Sequence, residues 1–387
     1  LVITGLPDNT SAKTDEKRGP SITASEKAIA GFSRSIGISV DQLYTKSEKK
    51  GEFFYAQIKK NSEPISKIIS EILSNTITKF PWSSSMRWGY KNLKWIRPLH
   101  SIVCLLSTES DYQIIPLNID GIISDNVCSG HRFLDQQIFS VTSFDDYYRK
   151  MKLGKVLLDR EQRKGKIWND ATNMAFAKGM EVVEDEGLLE EIVGLVEWPN
   201  VLMGEIDQKF LNLPPEVLQV SMREHQKFFS ARKIGSDLIS SFIVVSNIES
   251  TDNGRSIIDG NSKVLNARLS DAKFFWENDL AYINLNGLKS LDKRLLNVTF
   301  HNRLGSEYER LHRIIEISIN VAKIIGTDVK DVKIAASLCK LDLVSEMVYE
   351  FPELQGVMGA YYATEAGFSK IVADSCIEHY WPKGPSD

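Results

Sequence analysis

The side chains that most often carry out chemistry are scattered along this chain. Its four cysteines include no CxxC pair, which argues against a disulfide framework and against a zinc ribbon. Its six histidines include no HExxH motif and no His–Asp doublet. The sequence also contains no glycine-rich phosphate loop and no GxSxG nucleophile elbow. These residues alone predict reduced, mostly buried thiols in a cytosolic protein, and they name no activity.

A first cluster of basic residues has the composition of a nucleic-acid contact. Arg87, Lys91, Lys94 and Arg97 alternate with aromatic side chains such as Trp88. Cations bind phosphates and aromatic rings stack on bases, so this mixture suits RNA. The same pattern is typical of a strand and turn in which the tryptophans are buried and the arginines pair with carboxylates. The sequence leaves both interpretations open.

Two further groups of basic residues also have two interpretations each. Arg160, Arg163 and Lys164 fall within about one and a half turns of a predicted helix, which indicates either a phosphate-binding face or an ordinary solvated face. His131 and Arg132 follow a glycine. They suit a contact with an RNA backbone or ribose hydroxyl, and they suit equally well the bracing of a β-turn.

Composition excludes several classes of protein. At about 150 residues per domain, 387 residues predict two or three domains, and 42% hydrophobic residues are enough to form real cores. The net charge of −4 excludes a polycation that binds nucleic acid by bulk charge. No apolar run approaches the ~18 residues that span a bilayer, and no signal peptide opens the chain. We therefore expect a soluble, cytoplasmic protein with no membrane partner, and a start at Leu1 rather than Met suggests a piece of something longer.

The hydrophobic pattern predicts a mixed α/β first part, a second unit that starts near Val141, and an almost wholly helical chain from about Asn261. We set the predicted domains at residues 1–140 (mixed α/β), 141–290 (a second, RNA-facing α/β domain) and 291–387 (the start of an all-helical domain). The predicted helices begin near Ser25, Asn61, Ser143, Asp159, Pro214, Ser306, Asp331, Pro352 and Phe368. The predicted strands are Glu52–Ile58, Ile102–Leu106, Gln113–Leu117, Lys155–Leu158, Trp198–Gly204 and Ser240–Ile248.

Several short stretches, all in the same order, match one protein family. So many ordered matches are far more specific than any single one of them. They include Ser85–Gly89, Gly130–Phe133, Leu195–Pro199, Phe210–Val217, Gln226–Phe229, Ala267–Phe275, Leu338–Val344 and Glu346–Gly356. Over nearly its whole length the sequence resembles the β subunit of the bacterial heterotetrameric glycyl-tRNA synthetase.

The resemblance implies an α+β fold in which mixed α/β N-terminal and middle domains precede an all-helical, degenerate HD-like domain. It also implies an α2β2 assembly, with a synthetase α subunit that uses ATP and Mg²⁺ to activate glycine. This chain would bind tRNA(Gly) and the α subunit, with no bound cofactor and no catalytic residue of its own. The family's chains continue into an anticodon-binding region that these residues do not include.

The resemblance to HD phosphohydrolases can be checked residue by residue. A working HD site needs imidazoles and carboxylates around a metal that activates water. Where the family's active members carry His-Asp, this chain has Cys339 and Lys340, although Asp342 and His301 remain. The resemblance therefore implies no metal site. Two alternatives stay open: an independent HD-type metal-dependent phosphohydrolase, which Cys339 and Lys340 disfavour, and a non-enzymatic RNA-binding scaffold without a synthetase partner.

Overall fold

The computed structural model describes residues 1–7, 13–48, 51–60, 63–108, 111–382 and 384. The chain divides into two compact units, Leu1–Gly154 and Lys155–Asp387, and both contain helices and strands. The predicted mixed α+β class is confirmed, whereas the three-domain division and the HD-like character of residues 291–387 stay predictions. No helix in the described ranges is both long and apolar enough to cross a membrane.

The first unit consists of short strands and helices. In chain order these are β1 (Lys13–Ser21), α1 (Glu26–Ile36), β2 (Tyr44–Glu48), β3 (Gly51–Lys60), α2 (Ile65–Thr78), β4 (Ile102–Val103), β5 (Leu105–Ser107), β6 (Tyr112–Ile114), β7 (Asn118–Ile119), β8 (Ile122–Asp125), β9 (Val127–Ser129), β10 (Ile138–Ser140) and α3 (Phe144–Leu153). The first three strands form an antiparallel sheet in the order β1–β3–β2. The later strands pair in short two- and three-stranded sheets.

Local signals placed several elements of the first unit correctly. Helix α1 follows Ser25 and ends at Gly37, whose φ of 66° lies in the left-handed region that glycine adopts without strain. Strand β3 contains the predicted Glu52–Ile58, and α2 begins directly after Pro64. The predicted cap at Asn61 lies outside the described residues.

The predicted continuous strand Ile102–Leu106 is wrong. The chain changes partner at Cys104, because β4 pairs in parallel with β8 whereas β5 pairs antiparallel with β6. The predicted strand Gln113–Leu117 is likewise only partly formed, since β6 ends at Ile114. The hydrophobic pattern does not predict the change of partner at Cys104 or the early end of β6, because it records burial but not the identity of the neighbouring strand.

The second unit combines one four-stranded sheet with many helices. Its elements are α4 (Arg160–Ala177), β11 (Met180–Val182), α5 (Glu186–Leu195), β12 (Asn200–Glu205), α6 (Pro215–Gln226), β13 (Phe229–Lys233), β14 (Ile239–Ser246), α7 (Arg255–Asn286), β15 (Thr299–His301), β16 (Gly305–Ser306), α8 (Glu307–Ile325), α9 (Val329–Leu338), α10 (Glu346–Glu350), α11 (Val357–Glu365) and α12 (Lys370–Glu378). Short 3-10 helices cover Gln208–Phe210, Leu288–Asn297, Leu341–Val344 and Pro352–Leu354. The sheet order is β11–β13–β14–β12, with every pair antiparallel.

Both faces of this sheet are buried. Successive side chains of a strand point to opposite faces, and β14 shows this directly. Phe242 packs in a core with Leu269 of α7, while its neighbour Ile243 packs in a second core with Ile167 of α4 and Val193 of α5. The β-branched run predicted as Ser240–Ile248 is continuous because both of its faces meet helices.

Capping signals were reliable in the second unit. The Asp159 carboxylate accepts the N–H of Glu161 (2.8 Å) and so begins α4. Ser306 and Glu309 form a reciprocal capping box at the start of α8, as the sequence predicts. In the first unit the Ser143 hydroxyl similarly accepts the N–H of Asp146 (3.1 Å) at the start of α3.

Three predictions for the second unit are wrong. The helix predicted to begin at Pro352 begins only at Val357, since Pro352–Leu354 is a separate 3-10 turn. Residues 155–158 form no strand; Lys155 has a φ of 61°, and Leu157 donates its N–H to the Glu197 carbonyl at 2.9 Å. The helix predicted over Asp331–Met347 is divided into α9, a 3-10 turn and α10. The division occurs because Ser345 begins a new helix, accepting the N–H of Val348 at 3.1 Å.

A buried carboxylate connects three helices of the second unit. Asp279 of α7 is only 8% exposed. It accepts the N–H groups of Glu346 (2.9 Å) and Met347 (3.0 Å) at the start of α10, and the Tyr362 hydroxyl of α11 (2.6 Å). Helix α10 has only five residues, too few to be stable alone, so its orientation depends on this carboxylate.

Replacing Asp279 with alanine is expected to lower the free energy of unfolding by about 3 kcal/mol, because three buried donors lose a charged acceptor. Urea unfolding followed by circular dichroism measures the change. The control is Asp271→Ala, an exposed carboxylate on the same helix, for which no more than about 0.5 kcal/mol is expected. Equal losses in the two variants would contradict a bridging role for Asp279.

Candidate functional site

The first basic cluster lies on a hairpin, residues 86–97, that the rest of the first unit holds in place. Met86 and Trp95 exchange backbone hydrogen bonds of 2.8 and 3.1 Å. The carboxylate of Asp120, in the turn between β7 and β8, accepts the N–H groups of Asn92 (2.6 Å) and Leu93 (2.9 Å). These bonds, led by the one from Leu93, hold the pKa of Asp120 below its usual value. The hairpin therefore has a defined conformation although it contains little regular structure.

The structure agrees in part with each of the two interpretations of this hairpin. Trp95 packs on Trp82, which precedes the hairpin, with the ring centroids 4.9 Å apart. The arginines, however, do not pair with carboxylates. Arg87, Lys94 and Arg97 are exposed and form no ion pair with any residue in the described ranges. Lys91 differs, since its ammonium donates to the Asp120 carbonyl at 2.6 Å.

The second basic cluster is neutralised by the neighbouring helix. Arg160 pairs with Glu190, and Lys164 pairs with both Glu186 and Glu190, so α4 and α5 are joined. Hydrogen bonds, first from Arg160 and then from Lys164, lower the pKa of Glu190 to about 2. Arg163 donates instead to main-chain carbonyls, including that of Val193 at 3.2 Å. These contacts favour a structural role for the cluster, and a contact of these three cations with RNA stays a prediction.

His131 and Arg132 separate into an interior and a surface residue. His131 is 1% exposed, and its Nδ1 accepts the N–H groups of Phe133 and Leu134, each at 3.2 Å. It thus braces the turn, which was one of the two sequence interpretations. Arg132 is exposed, with its guanidinium 5.6 Å from the Phe133 ring centroid. Of this pair, only Arg132 lies where a ligand can reach it.

Of the four residues that the sequence placed at a degenerate HD site, three lie near one another in the interior and His301 lies at the surface. Cys339, Lys340 and Asp342 are 4%, 3% and 1% exposed. His301 lies on the exposed strand β15, where its Nδ1 accepts the N–H of Arg303 at 3.1 Å. Within the described residues, no group of three or more His, Cys, Asp or Glu side chains is arranged to hold a metal ion.

Asp342 is already engaged by the backbone. Its Oδ2 accepts the N–H of Gly356 and that of Gly359 (3.2 Å) at the start of α11. Its other oxygen is buried without a hydrogen-bond partner in the described structure. Gly359 allows this approach, because a Cβ there would lie 3.3 Å from the carboxyl carbon of Asp342. The carboxylate that the HD comparison retains therefore caps a helix.

Burial also determines the protonation of this centre, which includes groups that the sequence analysis did not select. The Lys340 ammonium lies 3.7 Å from the ring centroid of Tyr380, and burial lowers its pKa. Burial raises the pKa of the Cys339 thiol to about 11 and that of Cys376 to about 12, so both stay protonated and unreactive at neutral pH. Partial burial, with the charge of Lys340, lowers the pKa of His379 to about 4 although the side chain still reaches solvent, so that imidazole is neutral. Two of the groups that were not selected, His379 and Tyr380, lie in Glu378–Tyr380, a further short stretch of the sequence that matches the family.

The pH dependence of stability should report the buried state of Asp342. Burial raises its pKa to about 6, so the folded state binds the proton more tightly than the unfolded state does. The stability that this group contributes is therefore present below pH ~4 and is lost as the pH rises through about 6. Asp342→Asn carries no charge, and its amide oxygen can still accept from Gly356 and Gly359.

Relative to the original protein, Asp342→Asn is expected to gain about 1 kcal/mol of unfolding free energy between about pH 5 and pH 7.5. Urea titrations at both pH values measure this difference. The neighbouring groups Lys340 and His379 are present in both proteins, so their own titrations largely cancel. A difference that does not change with pH would show that Asp342 titrates normally.

Known proteins match this chain over its whole length. A family model described as the glycyl-tRNA synthetase beta subunit matches residues 1–387. The glycine–tRNA ligase beta subunit of a Ruegeria species is 52% identical over 388 residues, covering 100% of this chain and 56% of that protein. Those of Dinoroseobacter shibae and Paracoccus denitrificans are 51% and 48% identical, again over 100% of this chain and over 54% and 56% of their own lengths.

The chain thus spans about half the length of the curated relatives that it matches. The family match covers the whole chain, so it includes the hairpin, the four-stranded sheet and the buried residues around Asp342. This confirms the resemblance that the ordered sequence stretches indicated. The chain belongs to the glycyl-tRNA synthetase beta subunit family.

Proposed function

We propose that this chain is the tRNA-binding and assembly part of a glycine–tRNA ligase. It binds tRNA(Gly) and an α subunit in an α2β2 complex, and the α subunit activates glycine with ATP and Mg²⁺. The observation that carries the proposal is the family match over every residue from 1 to 387. The names of the relatives describe a ligase subunit, and a subunit called beta implies a partner chain.

The chemistry of the chain's own residues supports a non-catalytic share in that reaction. Forming glycyl-adenylate and transferring glycine require groups that bind ATP and stabilise developing charge. The buried thiols are protonated at neutral pH, and Asp342 is occupied by backbone N–H groups. Exposed groups suited to binding include Arg132 and the cations Arg87, Lys94 and Arg97 of the hairpin.

Positioning is the contribution that such a subunit makes. A tRNA held with its acceptor end at the α subunit's adenylate reacts in an effectively unimolecular step, which removes part of the entropic barrier. In this proposal the second unit is a rigid scaffold. Its doubly covered sheet and the Asp279 contacts to α10 and α11 provide the necessary rigidity.

Aminoacylation assays test the proposal. The purified chain alone is expected to show no glycine-dependent ATP–pyrophosphate exchange and no charging of tRNA(Gly). Adding a glycine-activating α chain is expected to give charging above that of the α chain alone. Exchange by the isolated chain would contradict the proposal, and failure to increase charging or to co-purify with an α chain would favour an RNA-binding scaffold without a synthetase partner.

The independent phosphohydrolase makes a different prediction. Lys340 places a buried positive charge beside Asp342, which repels a metal ion rather than binding it. We expect no hydrolysis of an activated phosphodiester in the presence of Mn²⁺, and no stoichiometric metal in the purified protein by elemental analysis. Metal-dependent turnover that the Asp342→Asn substitution abolishes would instead support the phosphohydrolase function.

A further inference from the structure

The hairpin at residues 86–97 lies in the most one-sided stretch of charge in the chain. Between Glu71 and Glu109 the sequence contains no Asp or Glu, yet it contains five Lys and Arg residues, in a protein whose net charge is −4. Charges of one sign that lack internal partners attract ligands of the opposite sign. By contrast, the cations of α4 stand next to carboxylates of α5.

The tip of this hairpin carries an aromatic side chain that touches little of the protein. Tyr90 is fully exposed, at 107% of its reference area. It follows Gly89, whose φ of 57° gives the tight turn, and the turn is closed by the N–H of Lys91 donating to the Trp88 carbonyl at 3.3 Å. The tip is presented on a braced support, because the Asp120 carboxylate fixes the residues that follow it.

These features together favour RNA with unpaired bases. A solvent-exposed ring can stack only on a base whose face is free, and the bases of a duplex are already stacked on one another. The exposed cations on the same hairpin can bind phosphates of the same strand. Tyrosine and arginine also occur often in protein–protein interfaces, but lysine is depleted there, so the unpaired Lys94 favours RNA over a protein partner.

We propose that the hairpin binds single-stranded RNA, with Tyr90 stacking on an unpaired base and Arg87, Lys94 and Arg97 binding the neighbouring phosphates. The inference deepens the proposed function and rests on it, since the natural ligand would then be an unpaired segment of a tRNA. No bond is made or broken at this site.

Two variants of Tyr90 test the stacking. The full chain is titrated into a fluorescein-labelled single-stranded RNA of about 12 nucleotides, and into a blunt RNA duplex of the same length, with binding followed by fluorescence anisotropy. Tyr90→Ala is expected to weaken binding to the single strand by about 5- to 100-fold and to change duplex binding little. Tyr90→Phe keeps the ring and is expected to bind within about twofold of the original protein.

Two lysine variants, matched in charge, test the phosphate contacts. Lys94→Gln removes an unpaired cation of the hairpin, whereas Lys166→Gln removes a cation of α4 that pairs with Asp170 at 2.6 Å. Both change the net charge equally. Lys94→Gln is expected to reduce the slope of log affinity against log salt by about 0.7, the value for one contact to a single strand, and Lys166→Gln is expected to leave it unchanged.

Each other outcome overturns the inference. Tyr90→Ala binding the single strand as well as the original protein does excludes stacking, and equal losses for Tyr90→Phe and Tyr90→Ala would assign the contact to the hydroxyl. Variants that bind RNA normally but no longer co-purify with an α chain would make the hairpin a protein-docking element. The proposed function has a separate test. If the original protein does not support aminoacylation with an α chain but still binds single-stranded RNA in a way that depends on Tyr90, the proposed function fails and the hairpin inference stands.

Discussion

A carboxylate that accepts two neighbouring backbone N–H groups is the interaction on which each part of this structure depends. Asp120 holds the hairpin through Asn92 and Leu93, and Asp279 caps the five-residue helix α10. Asp342 in turn binds two N–H groups at the start of α11. Segments this short cannot satisfy their own first N–H groups, and an unpaired buried N–H costs about 1–3 kcal/mol. The carboxylates therefore decide which loops and short helices have a fixed place.

The same constraint explains why the retained acidic residue of the HD comparison is not a metal ligand. The N–H groups of Gly356 and Gly359 already occupy one carboxylate oxygen of Asp342, and the nearby charge of Lys340 would repel a metal bound to the other. His301, which would have to contribute an imidazole, lies on an exposed hairpin strand. The centre is thus a packed part of the helical core, and its neutral thiols and imidazole are consequences of burial.

Local neutralisation distinguishes the two basic clusters, which look equally cationic in the sequence. On α4 the guanidinium of Arg160 and the ammonium of Lys164 share the carboxylate of Glu190, so a phosphate would have to compete with a pair already formed. On the hairpin, Arg87 and Lys94 have no such competitor in the described ranges. An unpaired cation can bind a phosphate and release its counterion without first breaking an ion pair, so the hairpin is the better suited of the two clusters to salt-dependent binding.

Sequence alone determined the features that depend on neighbours along the chain. The left-handed cap at Gly37, the Ser306–Glu309 capping box, the start of α4 at Asp159 and the family itself were all predicted, because each rests on contiguous residues. Only the tertiary structure decided the rest. Whether Arg160 is paired, whether Asp342 is free, and where the strand at Cys104 changes partner all depend on residues far away in the sequence. A local pattern records whether a side chain is polar or apolar, but charge pairing and strand pairing are contacts between distant segments, which exist only once the chain has folded.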